Sequence, residues 1–229
     1  MIAVIIPAHN EESHLGACLD SVLRATLCGG LNGETVLVVV VLDNCTDGTE
    51  NVALLSGVTT LAVCALNVGA AREAGAALAL AAGARWLAFT DADTVVAPDW
   101  LSVQLSLGSD AVCGTVAVHD WGSYGERMRS HFEATYTDAD GHQHIHGANL
   151  GVSAQAYRDA GGFQPLVSSE DVALVRALHA CGALIAWSAA PRVVTSARRV
   201  FRAPGGFGAT LRRVEHAYQR HVLAGEAPA

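Results

Sequence analysis

Arg85-Trp-Leu-Ala-Phe-Thr-Asp91-Ala-Asp93-Thr-Val-Val-Ala-Pro98-Asp-Trp100-Leu101 is the stretch that decides the fold. It begins apolar, from Trp86 to Phe89, and then releases two carboxylates one residue apart. An apolar run bounded by turn signals reads as a buried strand. Pro98 and Asp99 each suit the opening of a helix. A strand that ends in Asp-x-Asp delivers charge to the crevice where open α/β sheets bind ligands. Two carboxylates that close repel each other unless a cation or hydrogen bonds hold them. A hard divalent ion, shared with a substrate phosphate, is their natural partner. A solvated acidic turn is the competing account of a lone Asp-x-Asp, so the surrounding chain has to decide.

Upstream, strands and helices alternate at roughly 30-residue spacing, the pattern of a doubly wound, mostly parallel α/β sheet flanked by helices. Ala3 to Ile6 is a β-branched first strand, followed by the polar loop Pro7-Ala8-His9-Asn10-Glu11-Glu12-Ser13. A helix with Leu15, Cys18, Leu19, Val22 and Leu23 at helical spacing comes next. Thr35 to Leu42 is nearly all valine and leucine, as in a strand buried on both faces. It ends in Asp43-Asn-Cys-Thr46-Asp-Gly-Thr49, where Thr46 is the expected cap of a second helix. Thr59 to Ala65 is a third strand, and Asn67-Val-Gly-Ala-Ala-Arg72 opens a third helix running to about Ala82. Four polar clusters thus follow four successive strands: Pro7–Glu11, Asp43–Thr49, Asn67–Arg72 and Asp91–Asp93. In a parallel sheet they share one rim, which is a stronger signal than any one of them.

Downstream the pattern loosens. Ala111 to His119 reads as a strand, 120–142 as a polar stretch, and His142 to Val152 as extended. A short helix over Ala154 to Ala160 stops at Gly161-Gly162, and Ser168-Ser169-Glu170-Asp171 opens another. Leu184 to Trp187 and Val193 to Thr195 are late strands, and an amphipathic helix is expected from about Ala209 to Val222. The organisation expected is one domain over 1–229. About 1–108 forms a first half, about 109–200 a second half, and about 201–229 a C-terminal loop and helix.

The chain has 229 residues, 51% of them hydrophobic, enough for one sizeable core. A net charge of -8 gives nucleic acid and anionic lipid no attraction as main partners. No Cys-x-x-Cys occurs among the six cysteines, which read as small buried hydrophobes in a reducing, cytoplasmic setting. No basic n-region precedes the first strand, so no signal peptide is expected. Apolar runs fall far short of the ~20 residues of a membrane span, so only peripheral membrane contact stays open. Neither the dinucleotide Gly-x-Gly-x-x-Gly nor a P-loop is present.

Taken together, Val4-Ile-Ile-Pro-Ala-His-Asn-Glu-Glu12, Asp43-Asn-Cys-Thr-Asp-Gly-Thr49, Asn67-Val-Gly-Ala-Ala-Arg72, Asp91-Ala-Asp93, Gly147-Ala-Asn-Leu-Gly151, Gly161-Gly-Phe163 and Glu170-Asp171 resemble a family 2 glycosyltransferase of the GT-A fold. The matches occur in the family's order and span residues 2 to about 200. The resemblance implies transfer of a sugar from a nucleotide-sugar donor (UDP-, GDP- or dTDP-linked) to an acceptor hydroxyl, with inversion and with Mg2+ or Mn2+. It implies that Pro7, Ala8, His9, Asn10 and Glu11 pack on the base and ribose and that Asp43 accepts from the base edge. It also places Arg72 beside base and phosphates, Asp91 and Ala92 at the sugar nucleotide, and Asp93 on the metal. The competing structural roles are a helix cap for Asp43 and a surface charge for Arg72. Leu42 stands where many members carry a first acidic residue, which weakens any inference about the base. Gln-x-x-Arg-Trp, which marks processive membrane-embedded relatives, is missing, so a single-addition, soluble enzyme is expected.

Such a transfer needs a general base within hydrogen-bond reach of the attacking hydroxyl and positive charge on the departing diphosphate. Glu170 and Asp171 supply the base, with Asp171 preferred on the family pattern. Favourable helix-dipole placement is the alternative account of both. Arg198 and Arg199 could close over the diphosphate, since guanidinium groups match phosphate oxygens; a solvated basic pair is the alternative. His142, His144 and His146 alternate, so in a strand all three would share one face. That favours acceptor-cleft or surface residues over a zinc site. Two other functions stay in view: a sugar-phosphate nucleotidyltransferase, which would want a basic glycine-rich loop after the first strand, and a non-catalytic nucleotide-sugar-binding accessory protein, which would have lost Asp93 or the acidic pair.

Overall fold

The computed structural model describes residues 1–198 together with Gly208, Leu211, Arg212 and Glu215. Arg199 and most of the helix expected over 209–222 lie outside the described residues. The strands are β1 (Ile2–Ala8), β2 (Val36–Asp43), β3 (Thr59–Val63), β4 (Trp86–Phe89), β5 (Thr94–Val96), β6 (Ala111–Gly114), β7 (Leu150–Ser153), β8 (Ile185–Ser188) and β9 (Val193–Thr195). The helices are α1 (Leu15–Thr26), α2 (Thr49–Leu55), α3 (Val68–Ala81), α4 (Trp100–Ser106), α5 (Gly125–Thr135), α6 (Ala154–Asp159) and α7 (Glu170–Ala180).

Seven strands form one sheet in the order β3-β2-β1-β4-β7-β6-β8. β3, β2, β1 and β4 run parallel, β7 runs antiparallel to both β4 and β6, and β8 is parallel to β6. β1 shows why its sequence reads as an unbroken apolar run. Ile2, Val4 and Ile6 pack with Leu15, Cys18, Leu19 and Val22 of α1, whereas Ala3 and Ile5 pack with Ala71, Ala76 and Ala79 of α3. Alternate residues point to opposite faces, and both faces are covered. Each such buried Ile or Leu contributes roughly 1.5–3 kcal/mol. Gly75 lets α3 lie this close: a Cβ there would sit 2.6 Å from Ile5 Cγ2 and 2.8 Å from Val41 Cγ2.

Several expectations are corrected. β1 runs on through Pro7 and Ala8, which the sequence assigns to a loop; they pair with Val41 and Leu42. Thr46 does not cap α2; Gly48 is at the cap position, and Asp47 Oδ1 accepts from the Thr49 N–H at 3.0 Å. The strand expected to reach His119 stops at Gly114, and the polar 120–142 stretch contains α5. His142–His146 is not a strand; a 3-10 turn over Gly147–Asn149 leads into β7. All six cysteines are free, but Cys64 and Cys181 are exposed instead of buried. Among the described residues no helix is long and apolar enough to cross a membrane.

One further element positions the site. Directly after Asp93, β5 leaves the main sheet and pairs antiparallel with β9, Thr94 opposite Thr195. Their hydroxyls bond at 3.0 Å in the interior. This pairing brings the chain after β9, including Arg198, back over the end of β4.

Candidate active site

Because β1 to β4 are parallel, the four polar clusters emerge at one rim. The first two loops are tied together. Asn10, in the left-handed region at φ 56°, accepts from the Thr46 N–H at 2.7 Å through Oδ1, and Glu12 Oε2 accepts from the Gly48 N–H at 2.7 Å. The Glu11 N–H donates to Thr49 Oγ1 at 2.7 Å. His9 Nδ1 lies 2.6 Å from the Asp43 carbonyl, which only accepts, so that ring nitrogen carries the proton. Ala8 and Ala92 are core residues, 2% and 3% exposed.

Asp43 is buried and its carboxylate already accepts three backbone N–H groups. Oδ1 takes those of Ala65 and Leu66 at 2.8 and 2.9 Å, and Oδ2 takes that of Asn67 at 2.9 Å. It therefore fixes the loop that leads to α3, which Asn67 then caps by accepting from the Ala70 N–H at 2.8 Å.

Arg72 lies at the centre of the arrangement and not on an open phosphate face: it is 3% exposed. Its Nη2 donates to Asp91 Oδ1 at 2.6 Å, and its Nη1 pairs with Glu170 Oε1. The guanidinium also lies 5.6 Å from the Phe163 ring centre, a cation–π distance. Burial works against the Arg72 charge, but Asp91, Glu170 and Asp171 outweigh it and raise its pKa. One buried cation thus joins the Asp-x-Asp turn of β4 to the first turn of α7.

Ser169 opens α7 in the left-handed region at φ 62° without a side-chain cap, and Glu170 and Asp171 occupy the first turn. Glu170 is buried against Arg72. Asp171 is partly exposed; Oδ2 accepts from the Gly147 N–H at 2.9 Å and Oδ1 from the Val172 N–H at 2.8 Å. Each oxygen keeps a further lone pair for a donor. Gly147 must be glycine here: a Cβ would lie 2.4 Å from Arg72 Nη2.

On the other side of the Asp-x-Asp turn, Arg198 grips Glu11 with both arms, Nη1 to Oε2 at 2.5 Å and Nη2 to Oε1 at 2.6 Å. Nη2 is also 3.1 Å from Asp93 Oδ2. The Asp93 carboxyl is pushed up to about 7, by burial first and by the Asp91 charge second, and Arg198 offsets only part of this. The turn is thus short of positive charge. Among the described residues no group of three or more His, Cys, Asp or Glu could hold a metal ion by itself. Two hard carboxylates nevertheless suit Mg2+ or Mn2+, which retain waters and share phosphate oxygens. The residues fit such an ion.

The profile described as Glycosyl transferase family 2 matches residues 3–161. The chain belongs to this family. No curated protein matches the glycosyltransferase sequence. Solved structures share its fold at low identity. The structure of S. aureus TarS 1-349 in complex with UDP-GlcNAc superposes with a TM-score of 0.70 at 15% identity, covering 94% of this chain and 65% of that one. Glucosyl-3-phosphoglycerate synthase from Mycobacterium tuberculosis, in complex with Mn2+, UDP and glucosyl-3-phosphoglycerate, gives 0.60 at 18%, covering 100% and 81%. The mannosyltransferase PcManGT from Pyrobaculum calidifontis, in complex with GDP-Man and Mn2+, gives 0.62 at 18%, covering 100% and 65%. This glycosyltransferase chain therefore spans about two-thirds of the length of TarS 1-349 and of PcManGT. The expected GT-A class of α/β sheet holds.

Sequence reasoning misses several residues that shape the glycosyltransferase site. Tyr157 OH donates to Glu73 Oε2 at 2.5 Å, and the Phe163 N–H donates to the same oxygen at 3.0 Å, which clamps the Gly161-Gly162 turn under Arg72. Asn149, fully buried, accepts from Trp100 Nε1 at 2.8 Å and donates to the Thr115 and Pro191 carbonyls. The histidines do lie together, though not through a strand: His144 stacks on Tyr136 at 4.0 Å, and His142 and His146 flank His144 at 5.5 and 6.0 Å. Tyr136 OH accepts from the Val116 N–H and lies 2.9 Å from His146 Nε2. Burial and the two other histidines push His146 down to about 3, so it meets the phenol as a neutral imidazole. The alternating His-x-His-x-His is the only signal of this in the sequence.

Proposed function

We propose that this chain transfers a sugar from a nucleoside-diphosphate donor to an acceptor hydroxyl, inverting the anomeric carbon, with Asp171 as general base and Asp93 as metal ligand. The acceptor oxygen forms its bond to the anomeric carbon as the bond to the diphosphate oxygen breaks, and its proton passes to Asp171. The observation that carries this reading is the Arg72 bridge, which sets the acidic turn of β4 and the acidic first turn of α7 at one point. Donor charge and proton acceptor are thereby held by buried, mutually oriented groups, as in-line attack requires. A Mg2+ or Mn2+ ion at Asp93, when bound, neutralises charge on the departing diphosphate.

The residues divide the work as follows. Asp43 and the tied loops after β1 and β2 shape the nucleoside side, with His9, Asn10 and Glu11 as its edge. Glu170 is a positioning residue that acts through Arg72, and Asp171 alone touches the reacting hydroxyl. Arg198, at the end of β9, and Arg199 next to it supply cations for the diphosphate. Six free thiols, two of them exposed, support a reducing, cytoplasmic setting. The test is incubation with Mn2+ and UDP-, GDP- and dTDP-sugars, read by thermal shift and by slow donor hydrolysis. Stabilisation by one nucleotide class together with release of its nucleoside diphosphate is expected; no binding of any of the three would overturn the reading.

A further inference from the structure

Arg198 is placed between two negative groups that belong to different parts of the site. Glu11 comes from the loop after β1, where it is 4% exposed and its backbone N–H is fixed to Thr49. Asp93 comes from the turn after β4. The guanidinium satisfies both Glu11 oxygens and still reaches Asp93 at 3.1 Å. His14 Nδ1 also approaches Glu11 Oε2, at 3.4 Å, so this carboxylate is a hub and not a single contact. The position of Arg198 is set by the fold, because β9 is paired to β5 immediately after Asp93.

We infer that Arg198 holds the place of the divalent cation at Asp93, and that metal binding releases its Asp93 contact and turns the guanidinium to the donor diphosphate. Metal and nucleotide then bind as a linked pair. This rests on the proposed transfer reading. A dication on Asp93 and a guanidinium 3.1 Å from the same oxygen repel each other, so the ion must compete with Arg198 when no nucleotide is present. Once diphosphate arrives, the same fork finds oxygens that match it as well as Glu11 does, and the competition becomes cooperation. Coupling of this kind is reciprocal: the factor by which nucleotide tightens metal equals the factor by which metal tightens nucleotide.

The test is a titration of the full chain with Mn2+, free ion read by electron paramagnetic resonance, with and without saturating UDP and, in parallel, GDP. Wild type and Arg198→Gln are compared at 0.1 and 0.5 M NaCl. Without nucleotide, Arg198→Gln should bind Mn2+ about fivefold tighter than wild type; nucleotide should tighten Mn2+ in both proteins, because the ion shares phosphate oxygens, but by a factor about fivefold larger in wild type than in the variant, within the usual range of coupling between sites. The difference should persist at high salt, because a contact between partly buried groups is screened far less than a distant field. Equal Mn2+ affinity of the two nucleotide-free proteins, or a difference that vanishes at 0.5 M NaCl, would overturn the inference. Failure of both proteins to bind either ligand would instead overturn the transfer reading beneath it. If Arg198→Gln did not fold, Arg198→Lys, which keeps the charge without the fork, carries the same test with a smaller expected change.

Discussion

Replacing Arg72 by methionine keeps much of its volume and removes the one cation that α7 shares with the Asp-x-Asp turn. The Arg72 side chain is 4% exposed and that of Glu170 is 7%, so the variant leaves a carboxylate buried without its counter-ion. Removing one member of a buried pair costs about 3–5 kcal/mol. The Asp91 arm adds little, roughly 0–1 kcal/mol, because that side chain is 37% exposed and water screens it. In a chain of this length 1 kcal/mol moves the melting temperature by about 2–4 °C, so Arg72→Met should melt roughly 10 °C lower. A double-mutant cycle isolates the contact. Urea unfolding, followed by tryptophan fluorescence at pH 7, would be run on wild type, Arg72→Met, Glu170→Gln and the double variant. With both members of the buried pair replaced by neutral side chains, no buried carboxylate is left facing a missing partner, so the double variant should be more stable than the two single losses predict, by about 2 kcal/mol or more. Additivity within about 0.5 kcal/mol would refute the idea that this pair clamps the two halves of the site.

Asp171→Asn keeps the shape of the first turn but removes the proton acceptor. Donor binding by calorimetry should stay near wild type while transfer falls on the order of a hundredfold or more; undiminished transfer would move the base elsewhere. Asp93→Ala should leave the melting temperature within a few degrees and abolish the Mn2+ dependence of donor binding, and an unchanged dependence would remove Asp93 from the metal site. His146 gives a pH signature. Its folded pKa is depressed to about 3, against an ordinary value of 6.5, so its share of stability is present above pH 6.5 and is lost as pH falls toward 3. Wild type should lose about 1 kcal/mol per pH unit from this group below pH 6.5, and His146→Gln should lose less steeply. Parallel curves of melting temperature against pH would exclude His146 as the cause.

The sequence by itself determined the parallel half of the sheet, because strands buried on both faces must be written as unbroken apolar runs, and Ile2–Ile6 and Val36–Leu42 are. It also determined the common rim of Asp43, Asn67, Asp91 and Asp93, since parallel strands leave all their carboxyl ends on one side. Glu170 and Asp171 at the start of a helix were legible from local chemistry. Tertiary structure decided the rest. β5 is three residues long, too short to show a period, and exists only through its pairing with Val193–Thr195. α5 turns one methionine, Met128, fully inward, so its sequence reads as polar. Arg72 on an alanine-rich helix has the look of a surface charge; it is buried because Asp91 and Glu170, 19 and 98 residues away along the chain, converge on it. Arg198 meets Glu11 across 187 residues for the same reason. Local patterns record which face of an element is apolar, but a charge can be buried only where distant partners arrive to compensate it, and that is settled by the folded chain alone.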